Sequence, residues 1–200
     1  MASKMDLVAC CWCFQLPDER VYFLPRFWCT EDADNARQKA NKQLIKPWVP
    51  KWIRIGSDEQ YTGVICQELV QNEIIEDAKK FKPVVVAYDS WNIGDVAKNI
   101  AKAGFPIAEF VQGSRSFNGP MKEFEVRVKA GQVRHGGSPV MRFCVKNVMV
   151  RPDDNENIRP SKGKSADRID GVVAAVMALG MSMTYQQVGR YYETNPVEAG

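Results

Sequence analysis

A chain of 200 residues is long enough for one domain with a sizeable core, or one domain with a tail. Its hydrophobic and charged fractions, 45% and 26%, are those of an ordinary soluble protein and not of a disordered or fibrous one. A formal net charge of +3 permits a nucleic-acid partner without announcing one. The start, MASKMD, lacks the basic-then-apolar pattern of a signal peptide. The longest apolar run, GVVAAVMALGM, falls short of the ~20 residues that span a bilayer, so the expectation is a cytoplasmic protein with no membrane partner.

In chain order, Asp6 to Gln15 is rich in β-formers and stops at a Leu-Pro-Asp-Glu turn. Val21 to Trp28 is a second strand, with Pro25 demoting its far end to an edge or a bulge, and the two together predict a β-hairpin. Cys10, Cys11 and Cys13 fall in the first of these runs. With Cys29, Cys66 and Cys144 they form no pair of CxxC units, and with His135 as the sole histidine they predict buried free thiols in a reducing cytosol, not a zinc site. Thr30 is the expected N-cap of a helix that Pro47 and Pro50 end. Trp52 to Ile55 is a short strand, and Gly63 to Phe81 has the spacing of an amphipathic helix.

Pro83 to Tyr88 is a continuous apolar run, the pattern of a strand buried on both faces in mid-sheet. Asn92 to Ala103 predicts a helix, Ile107 to Val111 a strand and Met121 to Ala130 a helix. Met141 to Val150 fits helix or strand equally by period, and the polar stretch Arg151 to Ala166 is expected as a loop. Asp167 to Met183 is a strong helix. Domain boundaries are expected at 1–183, with 184–200 as a poorly packed tail. Strands first, then alternating strand and helix, predict an α/β domain with a mixed sheet.

Two acids stand in telling places. Asp89 ends the VVVAY strand, where ligands bind in α/β sheets. Asp170 opens an apolar helix, where an acid also has the ordinary role of complementing the helix dipole. Brought together without a cation they would repel; Mg²⁺ or Mn²⁺ would resolve that, and two such ions about 4 Å apart can clamp the attacking water and leaving oxygen of a phosphodiester. His135, beside two glycines, is either a phosphate contact or a turn element. Lys162, Lys164 and Arg168 are either a solvated face or DNA-phosphate ligands. Asp95 and Asp167 are expected as helix-start acids, and Trp91 and Asn92 as structural residues.

The segments YDSWN (88–92) and RIDGVVAAVMALG (168–180) resemble those of phage terminase large subunits. PRFW (25–28), GFP (104–106), FVQG (110–113), PMKEFE (120–125) and VRHGGSPV (133–140) follow the same family's order and spacing, so the resemblance spans about residues 2–183. It implies a ribonuclease H-like mixed β-sheet flanked by helices, acting as a metal-dependent endonuclease that cuts concatemeric viral DNA. Asp89 and Asp170 are then implied as catalytic metal-binding acids on two Mg²⁺ or Mn²⁺ ions. The family's first-strand acid would lie six positions before Asp6, so that strand is expected to be largely missing here, and Asp6 matches an accessory acid. By the same resemblance the partners are double-stranded DNA, a terminase ATPase domain, the small terminase subunit and the portal, in a host cytoplasm. No Walker-type phosphate loop occurs in the chain. Two other readings stay open: a catalytically impaired prophage remnant, and a non-catalytic DNA-binding or portal-docking module.

Overall fold

The structure, a computed structural model, describes residues 7–39, 42–58, 63–89 and 94–194. Asp6, Trp91 and Asn92 lie outside the described residues.

The hairpin forms as its sequence predicts. Strand β1 (Val8–Gln15) pairs antiparallel with β2 (Val21–Cys29) in the register Val8↔Trp28 to Gln15↔Val21. The Leu16 amide donates to the Arg20 carbonyl at 2.8 Å. Because hydrogen-bonded pairs alternate along an antiparallel ladder, the nitrogen of Pro25 therefore faces away from β1. On that far side β2 is joined, among the described residues, only at its ends, by β6 (Val133–Arg134) at Val21–Tyr22 and by β3 (Arg54–Ile55) at Trp28–Cys29. Pro25 thus falls in an unpaired stretch, and the expected bulge is absent: β2 runs straight through in an interior position.

Alternation along the hairpin divides its faces. Trp12, Phe14, Arg26 and Trp28 meet α2 (Gln67–Phe81): Trp12 and Phe14 pack edge-on against Phe81, and Trp28 Nε1 donates to Glu73 at 2.8 Å. Arg26 and the Trp12 indole both donate to Asp77. The opposite face carries Phe23 and Phe27 into the main core, against α4 (Ser114–Lys129), α5 (Pro139–Asn147) and α6 (Asp170–Thr194). The result is a three-layer α/β/α arrangement. The cysteines are free, and burial pushes the Cys10, Cys13 and Cys144 thiols up to about 12, leaving them unreactive at neutral pH.

A second, parallel pair joins β4 (Val86–Tyr88) to β5 (Ile107–Glu109), with α3 (Gly94–Lys102) between them in sequence. Here the apolar run misleads. β4 has one strand neighbour among the described residues, its side chains are half-buried, and Val84 is 67% exposed. Helix α6 packs on both β1 and β4, so it bridges the two sheets.

Other elements depart from expectation for identifiable reasons. Helix α1 (Ala33–Lys39) starts later than Thr30, whose buried hydroxyl has no hydrogen-bond partner among the described residues. The 139–147 segment is helical because Ser138 caps it, accepting from the Met141 amide at 3.2 Å. The 151–166 stretch is not a simple loop: β7 (Val150–Pro152) and β8 (Ile158–Pro160) form a second hairpin. Helix α6 continues past Met183 to Thr194.

Helix α4 runs through Pro120, where the sequence reading began the helix after it, because the proline ring is part of a close α4–α6 contact. A Cβ on Gly180 would lie 2.7 Å from Pro120 Cγ and 3.1 Å from Phe110 Cε2. Gly180→Ala is therefore expected to destabilise by ~1–3 kcal/mol through overpacking, despite alanine's better helix propensity. Gly119→Ala, with nothing within 4 Å of its Cβ, should instead hold or raise stability. Thermal melts of the two variants check this; a Gly180→Ala protein melting at or above wild type would refute the close packing.

Candidate active site

Asp170 is the first residue of α6, and the sequence around it explains its placement. Ile169 is fully buried and anchors the helix start. Gly171 follows because a Cβ there would come within 2.8 Å of Phe27 Cζ and 3.3 Å of Cys144 Sγ. The helix can approach β2 this closely only without a side chain at 171, and that approach sets Asp170 at the rim of the core. Its carboxylate is 17% exposed, and Lys162 Nζ donates to Oδ1 at 3.0 Å.

Asp170 lines a cleft of about 400 Å³ with Arg37, Lys42, Lys162, Asp167 and Arg168. The cleft is predominantly basic, as a phosphate-bearing ligand would require. One of its members is not what the sequence suggested. Asp167, expected to complement a helix start, is the partner of buried Arg37: Nη1 donates to Oδ1 at 2.9 Å and Nη2 to Oδ2 at 2.7 Å. Burial works to raise the Asp167 carboxyl, but the Arg37 hydrogen bonds and the Arg168 amide outweigh it and hold the group below the usual carboxylate range. Arg37 also donates to the Gln43 carbonyl and lies over the Phe143 ring, which fixes the guanidinium in place.

Asp89 is half-buried immediately after β4. Because β4 and β5 are parallel, with Tyr88 beside Glu109, Asp89 shares a carboxyl end with the segment leading to Gln112. Gln112 lines a second cleft, of about 320 Å³, together with Arg151, Arg159 and Lys162. Lys162 belongs to both clefts. The two acids thus sit on elements in mutual contact, but Asp89 lines neither cleft, and Lys162 touches Asp170 alone of the two.

Lys164 is exposed on the turn that follows Lys162 and lines neither cleft. His135 also lies outside both, after β6, between Arg134 and two glycines with φ of 61° and 76°. Burial first, and then the charge of Arg142, push His135 below the usual histidine range, so it is neutral at pH 7, with a buried Nδ1 that has no partner among the described residues.

Arg37, Lys42, Arg151 and Arg159 were missed from sequence. For the last two a signal existed: Val-Arg-Pro and Ile-Arg-Pro flank the five residues Asp153–Asn157, a spacing that suits a hairpin.

A family profile described as "Terminase large subunit, endonuclease domain" matches residues 1–185. The chain belongs to this family. It is 28% identical over 185 residues to the terminase large subunit of Enterobacteria phage HK97, covering 90% of this chain and 36% of that protein. It is also 28% identical over 169 residues to the protein YmfN of Escherichia coli (strain K12), covering 82% and 36%. The crystal structure of the HK97 bacteriophage large terminase superposes with a TM-score of 0.79 at 27% identity, over 90% of this chain and 37% of that one. The chain therefore spans a little over a third of these relatives. The mixed α/β architecture is that of the terminase nuclease domain, consistent with a ribonuclease H-like fold.

Hard carboxylate oxygens such as those of Asp89 and Asp170 suit Mg²⁺ or Mn²⁺ in kind. In number the described set is incomplete: no three of His, Cys, Asp and Glu converge among the described residues, and Asp6 is outside them. Among the described residues no helix is long and apolar enough to cross a membrane.

Proposed function

We propose that this terminase-family domain is a metal-dependent DNA endonuclease of a viral packaging machine, hydrolysing phosphodiester bonds of concatemeric double-stranded DNA. The observation that carries the reading is the position of Asp170: a carboxylate at the rim of a basic cleft, set there by a buried Ile169 and a sterically required Gly171. Asp89 and Asp170, with Asp6, would hold two Mg²⁺ or Mn²⁺ ions, which when bound supply a polarised water and charge neutralisation at the phosphate. Lys162, Lys164 and Arg168 bind the DNA backbone, with His135 as a further contact outside the cleft. The working unit is residues 1–183, and residues 184–200 lie outside it. Its partners are the ATPase domain, the small terminase subunit and the portal, in the host cytoplasm.

The Lys162 ammonium seated on Asp170 Oδ1 at 3.0 Å, where a metal ion would bind, favours as a second reading a catalytically impaired or purely DNA-binding form. Plasmid nicking with Mn²⁺ separates the two. Cutting that Asp89→Asn removes supports the nuclease; DNA binding without cutting, unaffected by metal or by Asp89→Asn, supports the second. In either case affinity for a duplex should fall steeply between about 50 and 200 mM salt, because each phosphate contact releases counterions. Replacing Lys162, Lys164 and Arg168 together by Gln should flatten that dependence. A salt-independent affinity of the wild-type chain would rule out backbone binding.

A further inference from the structure

The second hairpin carries a charge arrangement that its own stability does not explain. Arg151 on β7 and Arg159 on β8 are directly opposite in the antiparallel register, so their side chains share one face. Like charges directly opposite destabilise a strand pair. No ion pair among the described residues relieves either guanidinium. The nearest carboxylate in sequence, Asp153, is committed to its own turn: it accepts from the Asn155 and Asn157 amides at 2.9 Å each, and from Asn157 Nδ2 at 3.2 Å.

The hairpin is nevertheless held firmly. The Ile158 amide donates to Asn118 Oδ1 on α4, the Ser161 amide donates to the Met149 carbonyl at 2.8 Å, and Ser165 Oγ accepts from the Met149 amide. Both arginines line the 320 Å³ cleft, with the Gln112 amide on one side and Lys162 at the junction with the Asp170 cleft. A rigid scaffold that holds two guanidiniums together without an internal anion is preorganised for an external one.

We propose that Arg151 and Arg159, with Lys162 at the shared rim, form a phosphate-binding subsite that takes the DNA backbone. Planar guanidiniums donate to phosphate oxygens two at a time, which suits a phosphodiester better than a diffuse charge would. The repulsion between the arginines turns into attraction for the bound anion. Because Lys162 belongs to both clefts, a strand seated on the arginines is led toward Asp170. The subsite rests on the DNA-nuclease reading and adds to it two residues and a direction for the strand.

The test is fluorescence anisotropy with a short labelled duplex, across about 50–200 mM salt, on the full chain. The double variant R151Q/R159Q should lose about tenfold in affinity near 0.1 M salt and about one unit of the log–log salt slope. R151K/R159K should keep the salt slope and only part of the affinity. K98Q, on an exposed face of α3, should change affinity less than twofold. Thermal melts confirm folding, and R151Q should melt no lower than wild type, since it removes a repulsion. Duplex binding by R151Q/R159Q equal to wild type would overturn the subsite while leaving the DNA reading intact, and so would an equal loss in K98Q. If the wild-type chain binds no duplex at low salt, the DNA reading fails. Inorganic phosphate at matched ionic strength then decides what remains. A melting shift in wild type that R151Q/R159Q lacks reassigns the site to free phosphate, and no shift in either removes it.

Discussion

Asp170→Asn is expected to reduce Mn²⁺-supported plasmid nicking by at least about two orders of magnitude while leaving the protein folded. The amide keeps the shape of the carboxylate but neither its charge nor its affinity for a hard cation. Loss of a carboxylate that acts on the reacting phosphate should cost several kcal/mol of transition-state stabilisation, and each ~1.4 kcal/mol is a factor of ten in rate. The structural cost is small by comparison. Asp170 complements the start of α6 and pairs with Lys162, whose side chain is 65% exposed, so the fold should lose no more than ~1 kcal/mol. Calorimetric Mn²⁺ titration gives an independent readout: the Asn variant should bind more weakly than wild type. Unchanged nicking and an unchanged titration would remove Asp170 from the site.

Arg37→Leu should be the most damaging substitution for stability outside the hydrophobic core. Arg37 is buried and Asp167 nearly so, with side chains 9% and 11% exposed, and removing the guanidinium takes from the carboxylate its two-bond partner and leaves only the more distant charge of Lys42. Breaking such a pair from one side costs about 3–5 kcal/mol. In a chain of this size that corresponds to a melting temperature lower by roughly 6–20 °C. Replacing both residues, Arg37→Leu with Asp167→Leu, should recover much of the loss, since the penalty lies in the orphaned charge. The pH dependence has a defined sign. The folded Asp167 carboxyl is depressed, so its contribution is present in full above the unfolded value near 3.9 and is lost as pH falls through the lower folded value. Melting of the wild type in acid should show this loss, and the double variant should lack that component. A single Arg37→Leu variant as stable as wild type would show that the pair is not holding α1 to the start of α6.

Much of the architecture was legible locally. The β1–β2 hairpin is announced by two β-forming runs and a turn, and its register follows from the alternation that buries Phe23 and Phe27 on one face. Helix α6 is announced by Ile169, Val172, Val173, Val176 and Leu179, all buried. The misjudged elements are those in which a local rule was overridden by a distant partner. Helix α4 starts before Pro120 and not after it, with the proline ring packed on Gly180, sixty positions away in sequence and absent from any local window. Pro25 made neither an edge strand nor a bulge of β2, because among the described residues β3 and β6 leave its side of the strand unpaired.

The same division applies to the site. Asp170 could be picked out because it opens an apolar helix in a segment, RIDG, that resembles the family's; that Gly171 must lack a side chain is seen only in the packing on Phe27. Asp89 could be picked out because it ends an apolar run. Sequence alone therefore determined which family the chain resembles, which acids are candidates, and most, though not all, of the runs that become helix or strand. Tertiary structure alone decided that Arg37 neutralises Asp167, that Lys162 pairs with Asp170 and joins two clefts, and that Arg151 faces Arg159 across a hairpin. The physical reason is range. Periodicity and turn chemistry act over a few residues, whereas an ion pair or a phosphate-sized cleft is made by chain segments that only the packed core brings together.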